Sequence, residues 1–239
     1  MPVSSSAHLA VVPRVLGWSY AGLDAGERKT FEVALHAGSA PAFALAAAAS
    51  GAPPHPAWLA LTVLPPAIAG LVLERPIERR LGGPRSVALT QVAAGVALWA
   101  ADRRPAGRST PDAADHLAVG IGQALSLAPG VSRAGAALTA GRLRGLTRPA
   151  AAALALQAAL PVTVGATALK GFRLARAGGA GGALPAMAAG AGASLAAGLA
   201  ARGLLRRLSS GGSYAPLAAY RIAFGTAVLA GVRAGSAVK

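Results

Sequence analysis

The sequence predicts an all-α polytopic membrane protein, an inverted repeat with about six transmembrane helices and two re-entrant half-helix segments. The first observation is composition, since 54% of the 239 residues are hydrophobic and only 13% are charged, which is unlike an ordinary soluble domain. The second is that apolar runs of about 20 residues, the length that spans hydrocarbon, alternate with short basic connections. The third is that two further apolar stretches are only half as long and adjoin a proline.

The chain opens on a half-length segment, residues 3–17, which is too short and too polar to cross a bilayer alone. A second broken segment consists of residues 116–128 and 131–145, separated at Pro129-Gly130. We interpret it as a re-entrant hairpin that is buried by protein or lines water. The predicted spans cover residues 31–50, 57–73, 86–101, 149–170, 183–203 and 214–232, and the predicted connections include 51–56, 74–85 and 102–112.

This order of elements predicts an internal duplication. A half-length segment followed by three spans occurs twice, so we divide the chain into a first repeat, residues 1–112, and a second, residues 113–239. Three spans per half place the repeats in opposite orientations, with both breaks near the midplane. A weak sequence echo agrees: residues 3–5 read Val-Ser-Ser and residues 131–133 read Val-Ser-Arg, and each follows a proline closely.

The charge distribution indicates a lipid environment and not nucleic acid. The formal net charge is +15. The basic residues lie mostly in the connections, where they meet anionic headgroups, and no basic tract is interleaved with aromatic residues. The absence of cysteine excludes disulfides and thiolate metal sites. Basic residues divide almost evenly between the two sides, so they predict no orientation.

The second break has the composition of an anion site. Pro129 and Gly130 end one helix, and a helix that restarts near Val131 aims free backbone N–H groups at the gap. With the hydroxyl of Ser132 and the guanidinium of Arg133, these donors suit a phosphate group. The alternative is a loop with a surface arginine.

Two longer motifs carry a resemblance to a known family. Residues 2–9 read P-V-S-S-S-A-H-L, which is similar to the P-V-S-S-[ST]-[GA]-H segment of the bacterial undecaprenyl-diphosphate phosphatases, also called bacitracin-resistance proteins. Residues 129–135 read P-G-V-S-R-A-G, which is similar to their P-G-x-S-R-S-G segment, with Ala134 at the usual serine. Shorter matches follow in the family's order at residues 30–33, 123–125, 141–143, 161–162, 165–169 and 220–221.

The resemblance implies an integral enzyme of the bacterial cell membrane that hydrolyses undecaprenyl diphosphate to undecaprenyl phosphate and inorganic phosphate. Such an enzyme recycles the lipid carrier for cell-wall synthesis and confers bacitracin resistance. The implied partner is a polyprenyl diphosphate lipid and the implied cofactor a divalent cation, Mg²⁺ or Ca²⁺. A homodimer is left open. By motif position, the implied catalytic residues are His8, Ser132 and Arg133, and the implied substrate-binding residues are Ser4, Ser5, Gly130 and Arg133.

The chemistry of these residues leaves alternatives open. The planar fork of Arg133 can hold two phosphate oxygens, or it can form a structural ion pair. Ser132 can donate to phosphate, cap a helix or do both, and the same choice applies to Ser4 and Ser5. His8 can serve as general acid, general base or nucleophile, or it can be a hydrogen-bonded structural residue.

Other polar residues are predicted to have structural roles. Glu32 either caps a helix near its start or reaches the site or a cation. Packing or interfacial positions are expected for His36, His55 and His116. Interfacial loop charges are expected at Glu74, Glu78, Asp102, Asp112 and Asp115.

The sequence departs from the family in one respect. Family members carry an E-G-x-x-E-F-L stretch directly before P-V-S-S, and here Met1 stands at the position of its last leucine. The two carboxylates that would hold a divalent cation are therefore missing, and no metal ligand is assigned in this chain. We expect that the given start is too late and that the native protein carries one further half-helix with two glutamates.

Two alternative functions share this architecture. One is a catalytically inactive relative, and the other is a lipid or anion transporter that uses Arg133 only to bind its cargo. A type-2 phosphatidate phosphatase would need a histidine six residues after Arg133 and an aspartate ten residues after it, where this chain has Thr139 and Leu143. Release of phosphate in detergent, without a gradient, distinguishes an enzyme from a carrier.

Overall fold

The computed structural model describes residues 2–51, 55–176 and 184–233, and within these ranges it is all-helical, as predicted. A short 3-10 turn, Ser19–Gly22, separates the first two helices. The helices are α1 (Ser5–Val15), α2 (Ala25–Ala48), α3 (Pro56–Leu81), α4 (Pro84–Asp102), α5 (Ala113–Leu125), α6 (Arg133–Leu143), α7 (Arg148–Arg176), α8 (Leu184–Ser210) and α9 (Ala215–Arg233).

Five of these helices, α2, α3, α7, α8 and α9, are long and apolar enough to cross a membrane. The predicted span 86–101 corresponds to α4, which is not one of the five. Its 19 residues nevertheless make it about 28 Å long, close to the thickness of the hydrocarbon core. The chain is therefore a multi-pass membrane protein. Helices α1, α5 and α6 are too short to span the bilayer.

Local capping explains where several helices begin. Asp24 caps α2 by accepting from the backbone N–H groups of Gly26 and Glu27, and Glu27 reaches back to the Asp24 N–H. This capping box starts α2 six residues before the predicted span 31–50. Pro56 and Pro84 stand at the first positions of α3 and α4, where a missing N–H costs no helical bond.

The predicted charged connection 74–85 is mostly helix. Helix α3 continues to Leu81, and only Gly82 and Gly83 separate it from α4. Glutamate and arginine are good helix formers, so the charged residues continue α3, and the prediction that their charge marks the end of the helix was wrong. Connections 51–56 and 102–112 lie between helices as predicted, although residues 52–54 fall outside the described part of the chain.

The second break is wider than the Pro129-Gly130 pair. Helix α5 ends at Leu125, and α6 starts at Arg133 instead of near Val131. Pro129 has no N–H and disfavours helical geometry at the residue before it, so α5 cannot continue to Pro129 and ends at Leu125. Seven residues therefore lie outside helix between the two arms of the hairpin.

Helices α4 and α9 cross in an antiparallel, reciprocal contact. A Cβ added to Gly95 of α4 would lie 2.9 Å from Ile222 and 3.1 Å from the Ala218 carbonyl of α9. A Cβ added to Gly225 of α9 would lie 2.7 Å from both Val92 and the Ala88 carbonyl of α4. The equivalent positions, Ala88 with Ala218, Val92 with Ile222 and Gly95 with Gly225, are all separated by the same number of residues, as expected for two inverted repeats. Small residues at the crossing let the two backbones approach closely.

The largest cluster of buried apolar side chains lies in the second half and includes α4. Its larger members are Leu98 of α4, Val119 of α5, Leu138 of α6, Leu154 of α7 and Leu217 of α9. The hairpin α5–α6 thus packs one face against other helices, which partly shields the irregular backbone between its arms.

Candidate functional site

Arg221 of α9 joins the two breaks. Its side chain is fully buried, at 0% exposure. One terminal nitrogen donates to the carbonyl of Pro2 at 3.1 Å, and the other donates to the carbonyls of Gly130 at 2.9 Å and Val131 at 2.8 Å. A cation at membrane depth is costly without partners, and here the partners are main-chain oxygens from both motifs. Arg221 therefore fixes one break against the other.

Helix α4 holds the same two turns from the other side. The amide nitrogen of Gln91 donates to the carbonyl of Val3 at 2.8 Å. The hydroxyl of Thr90, the preceding residue, makes a short hydrogen bond to the carbonyl of Pro129. Each break is thus supported by one helix of each predicted repeat.

Close backbone packing explains the two glycines of the second motif. Gly130 has φ +99°, and a Cβ there would collide with the Thr90 hydroxyl and lie 2.5 Å from the Val87 carbonyl. A Cβ on Gly135 would collide with the Arg221 guanidinium. Gly130, which the resemblance implies is a substrate-binding residue, also gives its carbonyl to Arg221.

The two breaks share an unusual backbone conformation. Ser4 and Ser132 have φ of +66° and +65°, and no other non-glycine residue among those described has positive φ. Each precedes an 11-residue helix. Ser132 caps α6 by accepting from the Gly135 N–H at 3.2 Å, which leaves its hydroxyl proton able to donate. Ser4 makes no cap, and Ser5 is exposed.

Both ring nitrogens of His8 are engaged. Nδ1 lies 2.7 Å from the Ser4 carbonyl and Nε2 lies 2.6 Å from the Tyr220 hydroxyl. Because a carbonyl oxygen only accepts, Nδ1 carries a proton, and in the neutral ring Nε2 accepts from Tyr220. The ring also stacks on Phe224 at a centroid distance of 4.5 Å. His8 is therefore held against α9.

Arg133 faces a different part of the molecule. Its guanidinium donates to the Thr163 hydroxyl of α7 at 2.9 Å. It opens onto a small cleft that is also lined by His36 of α2 and by Ala166, Thr167 and Lys170 of α7. The structure brings the backbones of the two motifs together, whereas His8 lies against α9 and Arg133 lies in the cleft.

Sequence reasoning missed part of this cleft. We expected His36 to be a packing or interfacial residue, but it lines the cleft beside Arg133. Thr163, Thr167 and Lys170 recur at intervals of four and three residues, which places them on one face of α7. A polar stripe within an apolar span was the available signal.

The predictions for Asp102 and Asp115 as interfacial loop charges are wrong. Their side chains are 3% and 0% exposed. Asp102 accepts from Arg148 Nε at 2.6 Å and from the Ser213 hydroxyl and Tyr214 N–H, joining α4, α7 and the start of α9. Burying a carboxylate costs free energy, and hydrogen bonds and ion pairs of this kind offset that cost.

Asp115 forms the second buried network. Both of its oxygens accept from Arg108 at 2.8 Å, and one also accepts from Arg144 Nε at 2.9 Å. Burial alone would raise the pKa of this carboxyl, but the bonds from Arg108, the Asp112 N–H and Arg144 outweigh it and lower the pKa to about 2. The network ties the loop before α5 to the end of α6.

The described residues do not fit the divalent-cation site that the resemblance implies. Within residues 2–51, 55–176 and 184–233, no three or more His, Cys, Asp or Glu side chains cluster so as to hold a metal ion. Glu32 accepts from the Tyr20 hydroxyl at 3.5 Å, and Glu74 lies beside Lys170 and Arg173. No chemical step is therefore derived through a metal.

Comparisons with known proteins agree with the motifs. The sequence matches the family model of the bacitracin resistance protein BacA over residues 1–227. The undecaprenyl-diphosphatase of Geobacter sulfurreducens is 36% identical over 252 aligned residues, which cover 96% of this chain and 91% of the relative. Those of Trichlorobacter lovleyi and Gemmatimonas aurantiaca are each 34% identical, over 96% of this chain and 90% and 91% of the relatives. The resemblance seen in the sequence is confirmed, and the chain belongs to the bacitracin resistance protein BacA family.

Proposed function

We propose that this protein hydrolyses undecaprenyl diphosphate to undecaprenyl phosphate and inorganic phosphate. Family membership and the names of the relatives support this activity. The structural observation that carries it is Arg133, the first residue of α6 directly after the second break, whose guanidinium opens onto the cleft at α7. A fixed cation next to the free N–H groups of a helix start suits a phosphate group.

The proposed reaction moves the terminal phosphoryl group to water. The oxygen of water forms a bond to the terminal phosphorus while the bond from that phosphorus to the bridging oxygen breaks. The electron pair of the broken bond leaves with the lipid phosphate, and the proton that the water loses passes to His8. Arg133 binds oxygens of the terminal phosphate and stabilises the charge that develops there. The Ser132 hydroxyl accepts from Gly135 and donates its proton to a phosphate oxygen.

His8 is the proposed proton-transfer residue. Its Nδ1 keeps a proton for the Ser4 carbonyl, so Nε2 is the nitrogen that takes up a proton, and the Tyr220 hydroxyl that donates to Nε2 must relay that proton or move aside. Since His8 faces α9 and Arg133 faces α7, the substrate's diphosphate must lie beside α6, with the cleft on α7 on one side of it and His8 on the other. The turn carbonyls that Arg221 holds together set this separation.

We further propose that the protein acts in the bacterial cell membrane, where it recycles the lipid carrier of cell-wall synthesis. A divalent cation as cofactor and a homodimer as the assembled form remain predictions. Removal of metal with EDTA, followed by addition of Mg²⁺ or Ca²⁺, tests the first through phosphate release. Light scattering of the detergent-solubilised protein tests the second.

The central experiment measures phosphate release from C55 diphosphate by the purified protein in detergent, with no gradient or second compartment. Arg133→Ala should reduce kcat/KM by tens- to thousands-fold, as expected for loss of about 2–5 kcal/mol of partly buried charged contact. Arg133→Lys should also be damaging, because an ammonium lacks the planar fork.

Exposed Arg206 of α8 supplies the control, and Arg206→Ala should keep full activity. A folded Arg133→Ala protein that hydrolyses the lipid normally would overturn the proposal. Binding of the lipid by the unmodified protein without release of phosphate would favour a transporter instead.

A further inference from the structure

The cleft at Arg133 extends along one face of α7. Thr163, which holds Arg133, and Lys170 are two helical turns apart, about 10 Å along the axis. Thr167 lies between them, and its hydroxyl oxygen is buried with no hydrogen-bond partner among the described residues. The wall of the cleft therefore presents a cation at each end and an unused hydroxyl between them.

Lys170 is loosely held. Its ammonium lies 3.7 Å from one oxygen of Glu74 on α3, a separation too long for a direct hydrogen bond. Its side chain is 26% exposed and that of Glu74 is 30% exposed, so water screens part of the attraction. The same cation lines the cleft, within reach of a group bound there.

Glu74 has a second cationic partner. Arg173, one turn beyond Lys170, lies 3.7 Å from the other carboxylate oxygen. If Lys170 turns into the cleft, Glu74 stays paired with Arg173, so the movement leaves no isolated carboxylate near the membrane interface.

A diphosphate carries more negative charge than one arginine neutralises. Among the described residues that line the cleft none is acidic, and Lys170 is the second permanent cation after Arg133. At low dielectric an unmatched phosphate charge is costly, so a second cation in the cleft favours binding of the head group.

We propose that Lys170 is a second phosphate-binding cation of this cleft, paired with Glu74 in the resting protein and transferred to the substrate's diphosphate, with the Thr167 hydroxyl as a donor between Lys170 and Arg133. The inference deepens the proposed function, because it takes the group bound at Arg133 to be a phosphate. Glu74 is a positioning residue that competes with phosphate for Lys170, and Arg173 keeps Glu74 paired when Lys170 leaves.

The test is inhibition of C55-diphosphate hydrolysis by inorganic phosphate, with KM for the lipid measured alongside, on the full chain in detergent. Lys170→Met should raise both the phosphate inhibition constant and KM by about tenfold, the effect of losing one charge-assisted contact. Glu74→Gln should lower the phosphate inhibition constant, because it frees Lys170. Lys170→Arg should keep phosphate inhibition within about threefold of the unmodified protein.

These opposite signs separate ligand binding from a structural ion pair. If Lys170 only ties α7 to α3, then Lys170→Met and Glu74→Gln should both lower the melting temperature and leave phosphate inhibition unchanged, and that result overturns the inference. Arg176→Met removes an exposed charge from the same end of α7 and is the matched control, with phosphate inhibition unchanged.

Arg133→Ala is measured in parallel. Normal hydrolysis by that variant overturns the proposed function itself. Loss of hydrolysis in Arg133→Ala, together with unchanged phosphate inhibition in Lys170→Met and Glu74→Gln, overturns only the role of Lys170. If Lys170→Met does not fold, the Glu74→Gln and Lys170→Arg variants still decide the question.

Discussion

The two breaks have the same backbone and different chemistry. Ser4 and Ser132 share a positive φ of 66° and 65°, and each leads into an 11-residue helix. The first helix carries His8, whose ring is held on α9, and the second begins with Arg133, whose guanidinium faces α7. Two similar turns therefore present the proposed proton-transfer group on one side and the proposed anion-binding group on the other.

The supports of the two breaks also differ. The serine before α6 caps its helix, whereas the serine before α1 does not. The far end of α6 is anchored as well, since Arg142 donates to the carbonyls of Leu146, Asp102 and Arg104. Helix α6 is consequently fixed at both ends, while α1 depends on Arg221, Gln91 and the ring contacts of His8.

The largest effect is expected from replacing Arg221, the side chain that binds both breaks. Arg221→Met leaves the carbonyls of Pro2, Gly130 and Val131 without their buried donors, and each orphaned group costs about 1–3 kcal/mol. We expect loss of folded protein or a large fall in melting temperature, measured in detergent by thermal unfolding. A variant as stable and active as the unmodified protein would contradict the role given to Arg221.

The next prediction addresses the first break alone. His8→Ala should lower kcat by about a hundredfold, the lower range for general acid–base catalysis, with little change in KM. The pH profile of kcat should also change. Lys170 and Arg133 are untouched, so phosphate inhibition should stay normal. If kcat and its pH profile are unaltered, His8 is a structural residue.

A smaller effect is expected at the anchor of the second break. Asp115 has a pKa of about 2 in the folded protein, below the ordinary value near 4 that it has in the unfolded chain. Its ionised form therefore stabilises the fold at pH values above about 4, and this stabilisation is lost as the pH falls from 4 to 2. Asp115→Asn should cost about 2 kcal/mol at neutral pH and flatten that part of the stability profile. Glu78→Gln, at an exposed carboxylate, should leave the profile as it is. An Asp115→Asn protein with the original acid limb would contradict this.

The sequence predicts a feature well when the residues that determine it are close together along the chain. Capping, apolar length and the prolines are local, so the helices and both breaks were predicted, although α3 and the gap after Leu125 show boundaries shifted by several residues. Asp102 was misjudged because its partner Arg148 lies far along the chain. Asp115 has one distant partner, Arg144, and one near partner, Arg108, which reaches it only through the fold of the loop before α5.

The same limit applies to the site. The motifs predicted Ser132 and Arg133 as site residues. Residues 220–221 were only a short family match without a role, and the structure shows that they hold His8 and both breaks. Lys170 lies on a different helix from the motifs, and no local pattern connects it to Arg133. Its place in the cleft follows from the packing of α6 against α7.

The smallest prediction separates orientation of His8 from its chemistry. Tyr220→Phe keeps the aromatic ring, which lies parallel to the imidazole within 3°, and removes only the hydroxyl that bonds Nε2 at 2.6 Å. Losing one hydrogen bond is worth about 1 kcal/mol, so kcat should fall about fivefold while KM and the melting temperature stay constant. Phe224→Leu removes the stacked ring instead and serves as the comparison, because it loosens His8 without changing its hydrogen bonds. Should Tyr220→Phe leave kcat unchanged while His8→Ala abolishes it, Nε2 needs no partner on α9 to be aligned. His8 would then be oriented by the Ser4 carbonyl and the stacked ring of Phe224, and the contrast with α6, which is anchored at both ends, would be larger.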